Sequence, residues 1–229
     1  MTDIGRYITV NGKPFFILGG QVHNSSAYTK ERMAPLWDTL VRMHANTAEV
    51  PVYWEQIEPT EGAFDFAIVD DLIAGARAHG LKLILLWFGT WKNGTMKYTP
   101  GWVKLQPERF RRVITPDGLP LPVLSPHCQA TLEADKRAVC ALLEHIKQVD
   151  GGERTVIMLQ VENEPGTNGA ERDFSEEGST LFAAEVPQSL IAILPSIQSA
   201  LRQVWEENGA RTQGSWQEIF GQKAAEVFS

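Results

Sequence analysis

Glu162 and Glu164 stand two residues apart in "LQVENEPGT" (residues 159–167), behind the aliphatic run Val156-Ile157-Met158-Leu159 and ahead of a Pro-Gly pair. Driving an aliphatic strand into carboxylates is costly, because a buried carboxylate loses its hydration. A chemical use for the acids would offset that cost. If the strand stays regular to its end, Met158, Gln160, Glu162 and Glu164 share one face and Ile157, Leu159 and Val161 the other. Glu164, last before the turn, would then sit at the mouth of a cleft as a general acid. Partial desolvation there keeps a carboxyl group protonated until a leaving group takes the proton. Glu162, one layer deeper, needs a buried donor to stay charged and reads as support for the site rather than as a reacting group.

The elements that must position these residues alternate. "PFFILGG" (14–20) is a short apolar run, followed after Thr29, an N-cap, by Met33, Leu36, Trp37, Leu40 and Val41 at helical spacing. "NTAEVPVYW" (46–54) is a β-branched and aromatic strand, and a helix capped by Asp65 carries Val69, Leu72, Ile73 and Ala76 to Gly80. "LKLILLWF" (81–88) reads as a strand covered on both faces, with a long Gly/Pro-rich connection (89–130) before a helix at 131–149. "RTVIMLQVENE" (154–164) is the fourth strand, and a helix over 186–209 is interrupted at Pro195.

Such alternation predicts a parallel sheet with right-handed crossovers. No Gly-rich phosphate loop follows any strand, and each strand ends in polar or aromatic residues: Gln21 and His23, Trp54 and Glu55, Trp87, and the Glu162–Glu164 cluster. We therefore expect an α/β fold of (β/α)8 TIM-barrel type, in which strand ends converge on the catalytic rim. For any one strand the plainer reading is the passage from strand to loop, and His23 is equally a satisfied polar residue.

Composition excludes several classes. The chain is 43% hydrophobic with formal charge −7 and no Lys/Arg-rich block, so nucleic acid is not an expected partner. No window approaches the roughly 18 apolar residues of a membrane span. The first 16 residues lack a basic segment followed by an apolar core, so nothing in the chain as given directs export; a longer exported parent is left open. Cys128 and Cys140 match no disulfide or zinc pattern, and the five histidines are scattered, so neither a metal nor a cofactor is expected.

"QVENEPG" resembles the "QVENEYG" signature of glycoside hydrolase family 35, the retaining β-galactosidases. Trp37, Leu40, Met43, Asn46, Trp54, Glu58-Pro59, Glu61-Gly62, Phe64 and Phe66 follow a second block of that family, shared with family 42. The resemblance covers about residues 14–167 and implies a glycosidase acting on terminal β-glycosidic bonds, with Glu164 as acid/base and Asn163 holding the sugar 2-hydroxyl. The third strand departs from the family: in place of "CAEW" it offers "GTWKNGT", with Trp91, Lys92 and Asn93. Trp87 and Trp91 could stack on a pyranose ring, with Lys92 and Asn93 binding hydroxyls; packing in core or loop is the alternative for the tryptophans.

Retaining hydrolysis needs a second carboxylate about 5–5.5 Å from the first. Glu218 and Glu226 have helical surroundings and follow no strand. A full barrel takes about 250 residues, so residues 1–229 are expected to be the N-terminal portion of one catalytic barrel, its first four to five βα units, inactive alone and lacking the nucleophile. Open strand edges would favour self-association. The rival readings are a non-catalytic carbohydrate-binding barrel and a lyase or aldolase barrel using Glu162 and Glu164 as metal ligands; the absence of a nearby His or Asp motif argues against the latter.

Overall fold

The computed structural model describes residues 7–229. In chain order the elements are β1 (Ile8–Val10), β2 (Lys13–Phe15), β3 (Gly19–Gln21), α1 (Lys30–Arg42), β4 (Thr47–Tyr53), the one-turn α2 (Trp54–Ile57), α3 (Ala67–Ala78), β5 (Lys82–Lys92) and α4 (Gly101–Lys104). They continue with β6 (Arg112–Ile114), β7 (Pro120–Leu124), α5 (Gln129–Asp150), β8 (Val156–Asn163), α6 (Glu176–Ala183), α7 (Gln188–Ile193), α8 (Ala200–Glu207), α9 (Trp216–Phe220) and α10 (Ala224–Phe228). The chain forms two compact units, one of residues up to Gln106 with Thr131–Glu164, the other of Pro107–Ala130 with Pro165–Ser229.

The first unit is built on a four-stranded parallel sheet in the order β3-β4-β5-β8. Ala48, Val50 and Val52 on β4 and Leu83, Leu85 and Trp87 on β5 alternate with residues of the opposite face and are fully or almost fully buried. The apolar stripes of α1 (Met33, Trp37, Leu40), α3 (Val69, Leu72, Ile73, Ala76) and α5 (Ala134, Ala138, Leu142) supply the matching buried residues. The inner face carries Tyr53, Ile84, Leu86 and Phe88 with Tyr98 in one cluster. Period-2 strands alternating with period-3.6 helices leave each face one partner layer, as the sequence pattern requires.

Local chemistry sets the element ends. Thr29 caps α1 by accepting from Arg32 N, whereas the N-cap of α3 is Phe66 rather than the expected Asp65, whose Oδ1 accepts from Ala67 N at 2.9 Å just ahead of the helix. The Glu58-Pro-Thr-Glu-Gly turn is held by the fully buried Glu58, which accepts from Trp54 Nε1 (2.9 Å), Gly62 N (2.8 Å) and Arg137 (3.0 Å). The expected strand over 14–20 divides instead: Lys13–Phe15 pairs antiparallel with β1, and only Gly19–Gln21 joins the parallel sheet. Between them Leu18 N donates to Asn46 Oδ1, which bends the chain from one sheet to the other.

In the second unit β6 and β7 pair antiparallel. Buried Asp173 accepts from Ser125, Ser175 and the Ile114 amide; burial pushes its carboxyl up, and these hydrogen bonds outweigh burial and hold it low. Val186, Ile191, Leu194, Trp205, Ile219 and Phe220 form its apolar core. The expected helix over 186–209 is two helices, because Pro195 ends one and Ser199 caps the next by accepting from Arg202 N. Glu218 closes a capping box with Ser215 in α9, and Glu226 pairs with Lys223 in α10.

Candidate active site

β8 does not stay regular to its end. Met158 and Gln160 pair with Ile84 and Leu86 on the inner face, but a bulge after Val156 puts Ile157, expected on the helix side, against the inner-face cluster, and Glu162 and Glu164 adopt φ of +63° and +51°. The left-handed region costs a residue bearing a Cβ roughly 1–2 kcal/mol. It also turns Glu162 away from the inner face, which corrects the expectation that both glutamates point into the barrel.

Glu162 instead reaches the top of β5, where its two carboxyl oxygens accept from Thr90 N (3.0 Å) and Trp91 N (2.9 Å). Asp135, on α5, accepts from Thr90 N (2.7 Å), from the Thr90 hydroxyl, and from Trp87 Nε1 (2.7 Å). Burial, then the hydrogen bond and charge of Asp135, push the Glu162 carboxyl up, and the two amides offset only part of that. A neutral Glu162 hydrogen-bonded to Asp135 is therefore the resting arrangement. Gly89 makes room for it: a Cβ there would lie 2.2 Å from Trp87 Nε1, 2.6 Å from Asp135 Oδ2 and 2.7 Å from Glu162 Oε1.

Beyond Trp87 the β5–β8 register shifts: Trp87 pairs with Val161, yet Lys92 pairs with Asn163. The extra β5 residues carry the chain into a tight turn at Asn93-Gly94, both with positive φ, closed by Lys92 N to Thr95 O at 2.8 Å. The turn is laced to the end of β8. Gly94 N donates to Glu164 O at 3.0 Å, and Lys92 Nζ donates to Asn163 Oδ1 at 2.5 Å. Lys92 is only 6% exposed and lies 4.7 Å from the Phe88 ring centre. Burial holds its ammonium below the usual lysine range, with the Glu164 carboxylate pulling the other way. Glu164 itself is exposed. Lys92, Asn163 and Glu164 thus stand together beside the aromatic inner face, where Tyr53, Phe88 and Tyr98 have ring centres 4.7–5.9 Å apart.

The other expected contacts fall in different places. Trp87 is fully buried with its indole on Asp135, and Trp54 is fully buried with its indole on Glu58 and its ring edge-on to Trp102. Both are core residues rather than sugar platforms, because the side chain of Trp87 lies on the helix-covered face and that of Trp54 inside the α2 turn. Trp91 is half-buried, and its Nε1 is enclosed without a partner among the described residues. Asn93 is exposed at the turn tip. Glu55 accepts from Tyr28 Oη at 3.1 Å. Gln21 and His23 are exposed, with Gln21 level with Glu49, well before β4 ends at Tyr53. Asn24 of the same segment accepts from Tyr53 Oη at 2.8 Å. Among the described residues no group of three or more His, Cys, Asp or Glu could hold a metal.

Sequence reasoning missed Asp135 and the inner-face Tyr98. Asp135 did carry a signal: it falls on the buried stripe Thr131-Asp135-Ala138-Leu142-Ile146 of α5, where an unpartnered acid would be too costly.

The family model for glycoside hydrolase 42, described as β-galactosidase, matches residues 24–220. This chain belongs to that family. The match is to family 42, and it does not show the expected membership of family 35. A β-galactosidase of Xanthomonas manihotis is 30% identical over 188 residues, which are 78% of this chain and 28% of that protein. A β-galactosidase from the psychrophilic Marinomonas ef1 superposes with a TM-score of 0.58 at 18% identity, covering 90% of this chain and 29% of its own. The exo-β-1,4-mannosidase Op5Man5 from Opitutaceae bacterium strain TAV5 superposes with a TM-score of 0.50 at 15% identity, over 69% of this chain and 26% of its own. These structures establish the fold as part of a (β/α) barrel. The chain of this family 42 member spans under a third of the length of each of the three.

Proposed function

We propose that the chain supplies the acid/base half of a retaining, β-galactosidase-like glycoside hydrolase, as the N-terminal portion of its catalytic barrel. Glu164 protonates the glycosidic oxygen as the bond to the leaving group breaks, then deprotonates the water that releases the sugar. Asn163 donates to the sugar 2-hydroxyl. The carboxylate that attacks the anomeric carbon comes from outside these residues, since Glu218 and Glu226 sit in short helices and follow no strand. The substrate is a terminal β-galactoside or a related oligosaccharide.

The observation that carries this reading is the placement of Asn163 and Glu164 side by side at the C-terminal end of the last parallel strand, where (β/α) barrels do their chemistry. The test is Glu164→Gln in the polypeptide that carries this segment. Turnover of an aryl β-galactoside with a poor leaving group should fall by about 10²–10⁴-fold, and a good leaving group should lose less. Unchanged rates on both would remove Glu164 from the mechanism. Calorimetric sugar binding with no product from any β-glycoside would favour the non-catalytic carbohydrate-binding alternative.

A further inference from the structure

We infer that Lys92 is a positioning residue that fixes which end of the Asn163 amide meets the sugar. This rests on the reading of Asn163 as the sugar contact and adds what the motif does not contain: the reason that its amide has one orientation.

A lysine ammonium has three donors and no acceptor. The amide atom that faces it at 2.5 Å is therefore oxygen, Asn163 Oδ1, whatever the ordinary ambiguity between amide O and N. Because the amide is planar, its Nδ2 hydrogens point away from Lys92, and among the described residues they have no partner. The site thus offers its ligand a donor and not an acceptor. A hydroxyl oxygen meets the two hydrogens; in the flipped amide it would meet a lone pair.

Lys92 is well placed to impose this. The register shift after Trp87 brings it level with Asn163, and Gly94 N to Glu164 O and Trp91 N to Glu162 clamp the turn on both sides. The Phe88 ring beneath it and its 6% exposure limit the ammonium to a small arc. The charged groups that face it are Glu164, at the end of β8, and Lys97, beyond the turn. A buried ammonium kept beside an exposed acid and a neutral amide is otherwise an expensive way to fill this space.

The test uses the 229-residue chain and two readouts. In nitrogen-15 spectra the Lys92 ammonium should exchange slowly enough with water to be seen at neutral pH, and Asn163→Leu should abolish or shift that signal. A signal unaffected by Asn163→Leu overturns the inference whether or not sugar binds. In calorimetry, methyl β-galactoside should bind about tenfold more tightly than its 2-deoxy analogue, the equivalent of one hydrogen bond. Lys92→Met and Asn163→Ala should each erase that preference, the double variant should lose no more than either, and Lys92→Arg should restore part of it. General unfolding would weaken both sugars alike. If Asn163→Ala erases the preference and Lys92→Met keeps it, the inference fails while the functional reading stands. If the parent chain shows no preference, the role of Asn163 falls, and the spectra alone decide whether Lys92 orients the amide.

Discussion

Asp135 and Glu162 accept the same backbone N–H, that of Thr90, at 2.7 and 3.0 Å. Two carboxyl groups this close cannot both ionise without strong repulsion, so the pair holds one proton. The helix α5 is thereby tied to the ends of both β5 and β8, and the turn that presents Asn163 and Glu164 inherits its position from a buried Asp135 and a half-buried Glu162.

A pH dependence follows, with a definite sign. The Glu162 carboxyl titrates higher in the folded chain than in the unfolded one, so the folded state binds more protons above the unfolded value near 4.3. Its contribution to stability is full below that value and is lost as pH rises toward the raised folded value. Urea unfolding between pH 6 and 9 should show the parent chain losing on the order of 1 kcal/mol per pH unit relative to Glu162→Gln, which cannot ionise. Parallel curves for the two proteins would refute the shared proton.

Gly89→Ala should be strongly destabilising. Its methyl group would lie inside contact distance of Trp87, Asp135 and Glu162 together, none of which can withdraw without giving up a buried hydrogen bond. A loss of about 2–4 kcal/mol in chemical denaturation is expected; a loss below 0.5 kcal/mol would mean that this cluster is loosely held.

The two β5 tryptophans should behave differently. Trp87→Phe removes the indole donor to Asp135 and should cost about 1–3 kcal/mol of stability with sugar affinity kept. Trp91→Ala, at a half-buried position beside the Lys92 turn, should weaken sugar binding about tenfold with a smaller change in melting temperature. The opposite pattern in calorimetry and melting would return Trp87 to the binding surface.

The 229-residue chain should self-associate. β3 and β8 are the edges of the four-stranded sheet, and on β8 Val161 is 64% exposed and Met158 39%. Unpaired parallel edges with exposed apolar residues invite pairing. Sedimentation should show a concentration-dependent rise in mass; one sharp monomer boundary across the range, with cooperative melting, would contradict it.

How far the chain can be read without coordinates differs by element. The strands at 47–53 and 82–88, the helices α1, α3 and α5, and the Thr29 cap follow from periodicity and capping, which act within a few residues. Glu162 is not legible in this way: expected to point inward and be kept charged by a buried donor, it turns onto Thr90 N and Trp91 N, and burial and Asp135 push its carboxyl up. What the pattern does not contain is where strand regularity ends. Positive φ at Glu162 and Glu164, and the register shift that sets Lys92 beside Asn163, arise from pairing between residues about 70 apart in the chain.

Local sequence therefore settled the alternation of strands and helices and the parallel α/β class, since each depends on neighbours at short spacing. Only the folded chain decided which face each rim side chain occupies: Trp87 and Trp54 in the core, Glu162 turned onto Thr90, Trp91 and Asp135, and Lys92 on the Asn163 amide. The physical reason is that a hydrogen bond between distant residues can overturn a local backbone preference of one or two kcal/mol once burial removes competing water.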